Sequence, residues 1–346
     1  MPIAGWYSQK KKNSLISIFS RLYMLSLLGW IAGYLIIGDH SSFFALINPF
    51  AVWLFAPLPV TLAVFAFQRK GDFFVLGAAA SIVFVCLWGN ILLPRWKKPQ
   101  VGNNTIKILT YNLNYINREF TEVAGVIIRE SPDVLIFQEI NYTMLEYLGL
   151  NFSDVYPYHT HAIENGVFGQ AVFSKYPITT REDQLPFDWT GPPQILDLNW
   201  NGRVVTLVNM HMLAPWMGTL DSIDAGFRMR EKQAQALVDL TRSIGNPVII
   251  AGDANTAPLS KAYKILDVGL QDAWVEAGFG PGFNFSGKEQ VAFLKQFFPW
   301  LPVPNWHIRI DYVFVSEDWG VLEAYLPVAD NFSDHRPLVA VIGFAE

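Results

Sequence analysis

Val248 to Asn255 reads V-I-I-A-G-D-A-N, and the interpretation of this stretch decides the fold. Three β-branched residues and an alanine form a short run without a polar position, as in a strand buried on both faces, and the run stops at Gly252. Asp253 and Asn255 follow, two apart. If strand geometry persists to that point, both side chains leave the same edge of a sheet and converge on one reacting group. A carboxylate can take or orient the proton of an attacking water, and a neutral amide can donate to a developing oxyanion. Gly, Asp and Asn are also the commonest turn formers, so the segment alone fits equally a strand that ends in a turn.

Working outward, short strands alternate with amphipathic helices from Asn103 onward. Ile106 to Leu113 (I-K-I-L-T-Y-N-L) is expected to be a strand that presents Asn112 at its end, with Asn114 two further on. Apolar residues at 120, 123, 124, 127 and 128 predict a helix over Glu119 to Glu130. Asp133 to Ile140 (D-V-L-I-F-Q-E-I) is a second buried strand that delivers Glu139 near its end. An uncompensated buried carboxylate is costly, and a hard divalent cation would compensate it; a Glu simply exposed at the strand end is the alternative. Phe168 to Ile178 reads as strand then turn. Val204 to Met212 is a strand with Asn209 and His211 projecting to one side, and a lone His in such a strand is as a rule a satisfied core residue. Arg228 to Ile244 and Lys261 to Leu266 read as helices, Arg309 to Ser316 as a strand carrying Asp311, and Val339 to Phe344 as the closing strand after S-D-H-R-P-L.

The front third differs in kind. Overall the chain is 51% hydrophobic with only 16% charged residues, too apolar for an ordinary soluble enzyme of 346 residues. Leu22 to Ile37, which Leu15 to Ser20 lengthens if Arg21 snorkels or pairs, Phe43 to Phe67 and Phe73 to Leu93 each approach or reach the roughly 20 residues that span a bilayer. Pro49, Pro57 and Pro59 predict a kinked or re-entrant course for the second. A cleaved signal peptide would account for the first stretch but not for the next two. Residues 1–98 are therefore expected to be a transmembrane anchor of about three helices, and residues 99–346 the catalytic domain.

Charge divides along the same line. Residues 1–98 hold nine Lys or Arg against Asp39 and Asp72, a balance of +7, while the remainder carries −12. Basic residues at the start and at Arg69 and Lys70 share one side of the bilayer, and the first connector, Gly38 to Ser42, has no Lys or Arg. The positive-inside rule places that basic side in the cytoplasm and the catalytic domain outside it, although Arg95, Lys97 and Lys98 pull the other way. Cys86 is the only cysteine, so no intrachain disulfide forms, and it is expected to be a lipid-facing or packing residue.

Six motifs now stand in order: T-Y-N at 110–112, Q-E at 138–139, N-M-H at 209–211, G-D-A-N at 252–255, I-D-Y-V-F at 310–314 and S-D-H-R-P at 333–337. In this set residues 104 to 344 resemble the endonuclease/exonuclease/phosphatase superfamily, which includes deoxyribonuclease I, apurinic endonucleases and neutral sphingomyelinases, and are most similar to its bacterial membrane-anchored members. The resemblance implies a four-layered α/β sandwich with the site at the sheet edge, and metal-dependent phosphoester hydrolysis with Mg²⁺, or Mn²⁺ as a substitute. It implies Glu139 as principal metal ligand, with Asn112 ordering the site beside the metal and Asp334 at its edge. It implies that Asp253 aligns or deprotonates water with Asn255 as transition-state partner, that His335 contacts the scissile phosphate with Asp311 orienting and charging it, and that His211 is a phosphate-side hydrogen-bonding group. Asn114 departs from the acid that some nucleases carry there, which argues against a second tight metal site.

Elementary chemistry agrees with that implication. Phosphodiester cleavage needs charge neutralisation and a positioned water, which one Mg²⁺ among oxygen ligands and a protonated His can supply. Without a Cys cluster, zinc is disfavoured. A nuclease acting on long DNA wants a broad basic face, so the −12 balance favours a lipid head group or another small envelope phosphoester over nucleic acid. The expected protein is thus an integral-membrane phosphoesterase, at a bacterial inner or plasma membrane, that acts at a lipid bilayer and calls for no obligate protein partner. A membrane-tethered nuclease and a non-catalytic binding module with the same fold are the alternatives. Two loops, Leu213 to Leu220 with one Trp and the aromatic-rich Phe279 to Trp306 (with Phe293, Phe297, Phe298 and Trp300), suit either a membrane interface or a core. His40, His159, His161 and His307 receive no role.

Overall fold

The computed structural model describes residues 3–39, 41–93, 95, 98–163, 166–214, 219–287, 295–296, 299, 304–329 and 333–346. His40, residues 215–218 of the first aromatic loop, and Phe293, Phe297, Phe298 and Trp300 of the second lie outside them. Two compact units make up the chain, Met1–Asn90 and Ile91–Glu346.

The first unit is helical: α1 (Ile3–Ile37), α2 (Ser42–Ile47), α3 (Ala51–Leu54), α4 (Leu58–Phe67) and α5 (Gly71–Leu92). Leu15–Ile37 and Gly71–Leu92 are long and apolar enough to cross a membrane, with mean hydropathies of 1.6 and 2.1. The expected second span is a pair, Ser42–Leu54 and Leu58–Phe67, bent by 57°. Pro57 precedes and Pro59 opens α4, and the amide that each lacks accounts for the break. The first unit therefore holds two candidate spans, or three if the bent pair counts as one. Arg21, the charge within the first apolar stretch, lies with its guanidinium 5.3 Å from the Phe73 ring centre. Cys86 is exposed.

The second unit holds two six-stranded sheets. Its strands are β1 (Val101–Asn112), β2 (Val134–Gln138), β3 (Tyr158–Ala162), β4 (Gln170–Ser174), β5 (Ile178–Thr180), β6 (Gly191–Trp200), β7 (Arg203–His211), β8 (Val248–Asp253), β9 (Gln271–Asp272), β10 (Asp311–Val315), β11 (Trp319–Tyr325) and β12 (Leu338–Ala345). Its helices are α6 (Phe120–Glu130), α7 (Tyr142–Phe152), α8 (Leu220–Ser243), α9 (Lys261–Gly269) and α10 (Ala273–Ala277). One sheet runs β11-β12-β1-β2-β4-β3 and the other β5-β6-β7-β8-β10-β9. Each is built on a parallel pair, β1 with β2 and β7 with β8, and the crossovers contain α6 and α8 respectively. Every residue of β2, β4, β8 and β10 is buried, which explains why their polar residues stand only at the strand ends.

Helices cover the outer face of each sheet. Val123, Ala124, Val126 and Ile127 of α6, with Met144 and Leu148 of α7, pack on Leu109, Tyr111, Leu135, Phe137 and Phe173. Ala234, Leu237 and Val238 of α8, with Tyr263 and Leu266 of α9, pack on Val208, Met210, Ile250, Tyr312 and Phe314. Ile128, which the spacing places on the apolar face of α6, is instead 65% exposed. Helix α8 begins at Leu220, earlier than expected, because Thr219 caps it by accepting from the Ser222 amide and the helix tolerates Gly226 in its interior.

The two inner faces meet through a buried polar lock as well as through apolar contact. Gln138 Nε2 donates to Asn209 Oδ1 at 2.8 Å, and Asn209 Nδ2 donates to the Phe137 carbonyl at 3.1 Å and to Gln194 Oε1 at 3.0 Å. Both amides are 0% exposed, so deleting one strands several buried partners. Asn209→Ala is therefore expected to cost about 2 kcal/mol, read as a lowered denaturation midpoint at unchanged m-value.

Candidate active site

Strand polarity gathers the polar residues at one end of the sheets. Asn112, His211 and Asp253 are the last residues of β1, β7 and β8, and Glu139 follows the last residue of β2. The ladders pair Asp253 with His211 on one side and with Asp311, the first residue of β10, on the other. Side chains of paired residues share a sheet face, so all three point inward toward Asn112. His335 enters just before β12, which runs antiparallel to β1.

Backbone strain marks the same rim. Asn114, Glu139 and Asn255 have φ of 61°, 52° and 47°, a region that non-glycine residues rarely occupy. Gly252 has φ 141°, and a Cβ there would collide with the Met210 carbonyl oxygen, so only glycine fits between the two strands. The premise of persisting strand geometry fails at this point: β8 ends at Asp253, and the chain turns left-handed at Asn255. The Asn255 amide nitrogen of the side chain donates to the Met212 carbonyl at 3.0 Å, and its backbone N–H donates to Asp253 Oδ1 at 2.8 Å. Asn255 thus fixes the aspartate through its backbone.

Asn112, 0% exposed, spans the two carboxylates: its Nδ2 is 3.1 Å from Glu139 Oε1 and 3.1 Å from Asp253 Oδ2. Its own oxygen accepts from the Asn114 N–H at 3.0 Å. Asn114 Nδ2 in turn donates to Asp334 Oδ1 at 2.8 Å, so the residue read only as a departure ties Asp334 to the site. Ser333 Oγ donates to the Asn112 carbonyl at 2.9 Å and accepts from the His335 N–H at 3.0 Å, which clamps the S-D-H turn to β1. His335 Nδ1 is 2.9 Å from Asp311 Oδ2, and its Nε2 is 3.7 Å from Asp253 Oδ2. His211 Nε2 lies 3.6 Å from Asp253 Oδ2 and 3.9 Å from Glu139 Oε1. The residues that the sequence motifs single out therefore stand around one small space.

Electrostatics gives the two histidines opposite characters. Burial, and after it the neighbouring His335 cation, lower His211 to about 3, so it is neutral. With Nε2 facing the carboxylates, its buried Nδ1 has no hydrogen-bond partner among the described residues. Burial also opposes charge on His335, but Asp311 and Asp253 outweigh it and push the imidazole up to about 10. Burial raises Asp253 to about 7, against the pull of His335, and raises Glu139 and Asp311 as well.

A hard cation fits one corner of this arrangement. Asp253, Asp311 and His335 bring ligand atoms within 4.8 Å of one another, but His335 Nδ1 is engaged by Asp311, which makes that trio an ion-pair cluster. At Glu139 the donors are oxygens, the carboxylate is desolvated, and no Lys or Arg pairs with it among the described residues. A desolvated carboxylate held by the neutral donors Asn112 Nδ2 and the Tyr115 N–H is a hard oxygen ligand of the kind that Mg²⁺ or a similar ion takes. Saturating Mg²⁺ is expected to raise thermal stability by about 2.7 kcal/mol at one hundred times its Kd, and Glu139→Gln to remove most of that gain, as scanning calorimetry would report.

Other contributors were not visible in the sequence. Asn284 and Phe285 come from a loop without periodicity; the Phe285 ring centre is 4.8 Å from that of His335. His159 and His161 lie on the edge strand β3, exposed, and His307 is buried. Trp306 is half-buried with the Arg336 guanidinium 5.7 Å from its ring centre, whereas Phe279 is 75% exposed.

Comparison with known proteins matches this unit to a family. The model of the Endonuclease/Exonuclease/phosphatase family matches residues 109–335. The chain belongs to that family. Endonuclease/exonuclease/phosphatase members are phosphoesterases or nucleases and generally use divalent metals, which supports a hydrolase. Inositol phosphosphingolipids phospholipase C of Saccharomyces cerevisiae is 30% identical over 192 residues, 49% of this chain and 38% of the yeast protein. The chain thus matches well under half the length of that relative. Among solved structures, the endonuclease/exonuclease/phosphatase of Beutenbergia cavernae superposes with a TM-score of 0.52 at 18% identity, over 70% of this chain and 72% of that one. Truncated TDP2 of Caenorhabditis elegans superposes with a TM-score of 0.55 at 19% identity, over 70% of this chain and 100% of that one. These likenesses establish the two-sheet fold.

Proposed function

We propose that this family member is a membrane-anchored, Mg²⁺-dependent phosphoesterase that hydrolyses a lipid head group or another small phosphoester at the bilayer. The observation that carries the reading is the convergence of Glu139, Asn112, Asp253, His211 and the Asp311–His335 pair on one space, in a chain with candidate membrane spans. The sphingolipid named for the yeast relative supports a lipid over nucleic acid, and so does the acidic balance of the unit. Basic residues at the cytoplasmic ends would place the site outside the cytoplasm.

Glu139 would hold the metal, with Asn112 and Asp334 beside it. When bound, the ion supplies charge neutralisation to the phosphoryl oxygens. Asp253 orients a water and accepts its proton, held in place by Asn112 and by the Asn255 N–H. His335 presents its Nε2–H to a phosphoryl oxygen as a cation, and Asp311 fixes that ring through Nδ1. His211, neutral, donates from Nε2 on the same side.

The test is hydrolysis of a chromogenic phosphodiester and phosphomonoester by the full chain in detergent, with and without Mg²⁺, followed by competition from phospholipid vesicles or from DNA. Metal-dependent turnover that vesicles inhibit and DNA does not would support the reading. Inhibition by DNA alone would favour a tethered nuclease, and no metal-dependent turnover of any phosphoester would favour a binding module.

A further inference from the structure

We infer that Asn284 is a positioning residue, whose side chain sets the placement of Asp311 and through it the aim of His335; the catalytic part of this inference rests on the phosphoesterase reading above. Asn284 is 0% exposed in the loop between α10 and β10. Its Oδ1 accepts from the Ile310 N–H at 2.9 Å and the Asp311 N–H at 3.2 Å, and its Nδ2 donates to the Asp311 carbonyl at 2.8 Å.

Ladder topology explains why an amide is needed there. Strand β10 pairs with β8 along its whole length, but with β9 only at Phe314 and Val315. Among the described residues Asp311 thus starts the strand with no ladder partner on the outer side, where buried backbone groups must still be satisfied. The Asn284 side chain stands in for the missing strand. Its main chain reaches the other half of the pair: the Asn284 carbonyl accepts from the Arg336 N–H at 2.7 Å, and the Ser286 N–H donates to the Asp334 carbonyl at 2.9 Å. Phe285 packs on the His335 ring between these two bonds.

The carboxylate of Asp311 has little else to aim it. Its Oδ1 is buried without a hydrogen-bond partner among the described residues, where only the Oδ2 contact to His335 and the backbone position define its direction. Truncating Asn284 releases that backbone position, while the main-chain bonds of residues 284–286 to the His335 segment persist. A displacement of about 1 Å at such a pair costs on the order of a hundredfold in rate.

The experiment uses the full chain in detergent and reads kcat and KM for Asn284→Ala and Asn284→Ser, alone and combined with Asp311→Ala, together with the Nδ1 proton signal of His335 by NMR. The expected result is a fall in kcat of about ten- to a hundredfold for Asn284→Ala with KM within about twofold, no further loss in the Asp311→Ala background, and partial retention in Asn284→Ser, whose hydroxyl still accepts. The hydrogen-bonded Nδ1 proton is expected in the unmodified chain and lost in Asn284→Ala. Additive losses in the double variant, or an Nδ1 signal unchanged by Asn284→Ala, overturn the inference. If the unmodified chain shows no turnover, the phosphoesterase reading fails and the Nδ1 signal alone decides the role of Asn284. Should Asn284→Ala not fold, the same comparisons are made with Asn284→Ser.

Discussion

Replacing Asp253 with Asn is expected to lower turnover by a factor of about 10³ to 10⁴, the upper range for loss of a general base, while the protein remains folded. The side chain is almost isosteric, and its oxygen can still accept from the Asn255 N–H that now holds Oδ1 at 2.8 Å. What disappears is the charge, and with it the Oδ2 acceptor that Asn112 Nδ2 now meets at 3.1 Å. Burial raises Asp253 to about 7 from 3.8, so the folded state prefers its protonated form. By linkage, this group favours folding fully below its unfolded pKa and loses that contribution as pH rises through the folded value. At pH 8 the wild-type carboxylate therefore carries a desolvation burden, and its relief in Asp253→Asn offsets the bond lost to Asn112, so the midpoint should stay close to that of the parent. A lost rate with an unchanged or raised midpoint would assign Asp253 to chemistry, whereas a lowered midpoint in parallel with the lost rate would make it a structural residue.

That opposition between stability and activity is also what made the site readable. A run such as V-I-I-A can only be a buried strand or helix segment, and a carboxylate or amide placed at its end has no packing reason to be there. Asn112, Glu139, His211, Asp253 and Asp311 all follow or start such runs, and sheet topology then brings them to one end. Elements without that contrast were illegible. Strand β3 reads Y-H-T-H-A and has no buried residue; β6 opens with Gly191, Pro192 and Pro193; β9 is a dipeptide. Each owes its conformation to the neighbour it pairs with, a long-range cause that no local pattern carries.

The same limit applied within the site. The spacing of Asp253 and Asn255 suggested a shared direction, yet the left-handed turn at Asn255 sends its side chain to the Met212 carbonyl. Periodicity of two holds only while the strand does, and here it ends two residues short of Asn255. Asn284 and Asn114 act by satisfying groups far away in sequence, Asp311 and Asp334, and polar residues in loops carry no sign of which distant atom they serve.

The Asp311–His335 pair is where the pH dependence should be largest. His335 sits at about 10 because Asp311 and Asp253 together outweigh its burial, so it stays cationic across the neutral range. Its folded pKa lies above the ordinary 6.5, so the pair stabilises the fold fully below that pH and loses the contribution as pH rises toward 10. Activity is expected to show an alkaline limb near the same value. In Asp311→Asn the closest anion is gone, and loss of one neighbouring charge shifts such a group by about 1–3 units. The alkaline limb should then move toward neutrality, cutting the rate at pH 8 by about tenfold where the shift is largest, and leaving the rate at pH 6 much closer to that of the parent. His335→Ala, with no imidazole to titrate, should lose about 10² to 10⁴ in kcat at every pH. An unmoved alkaline limb in Asp311→Asn would mean that the imidazole draws its charge from elsewhere, and a rate for His335→Ala within a few-fold of the parent would remove it from the reaction.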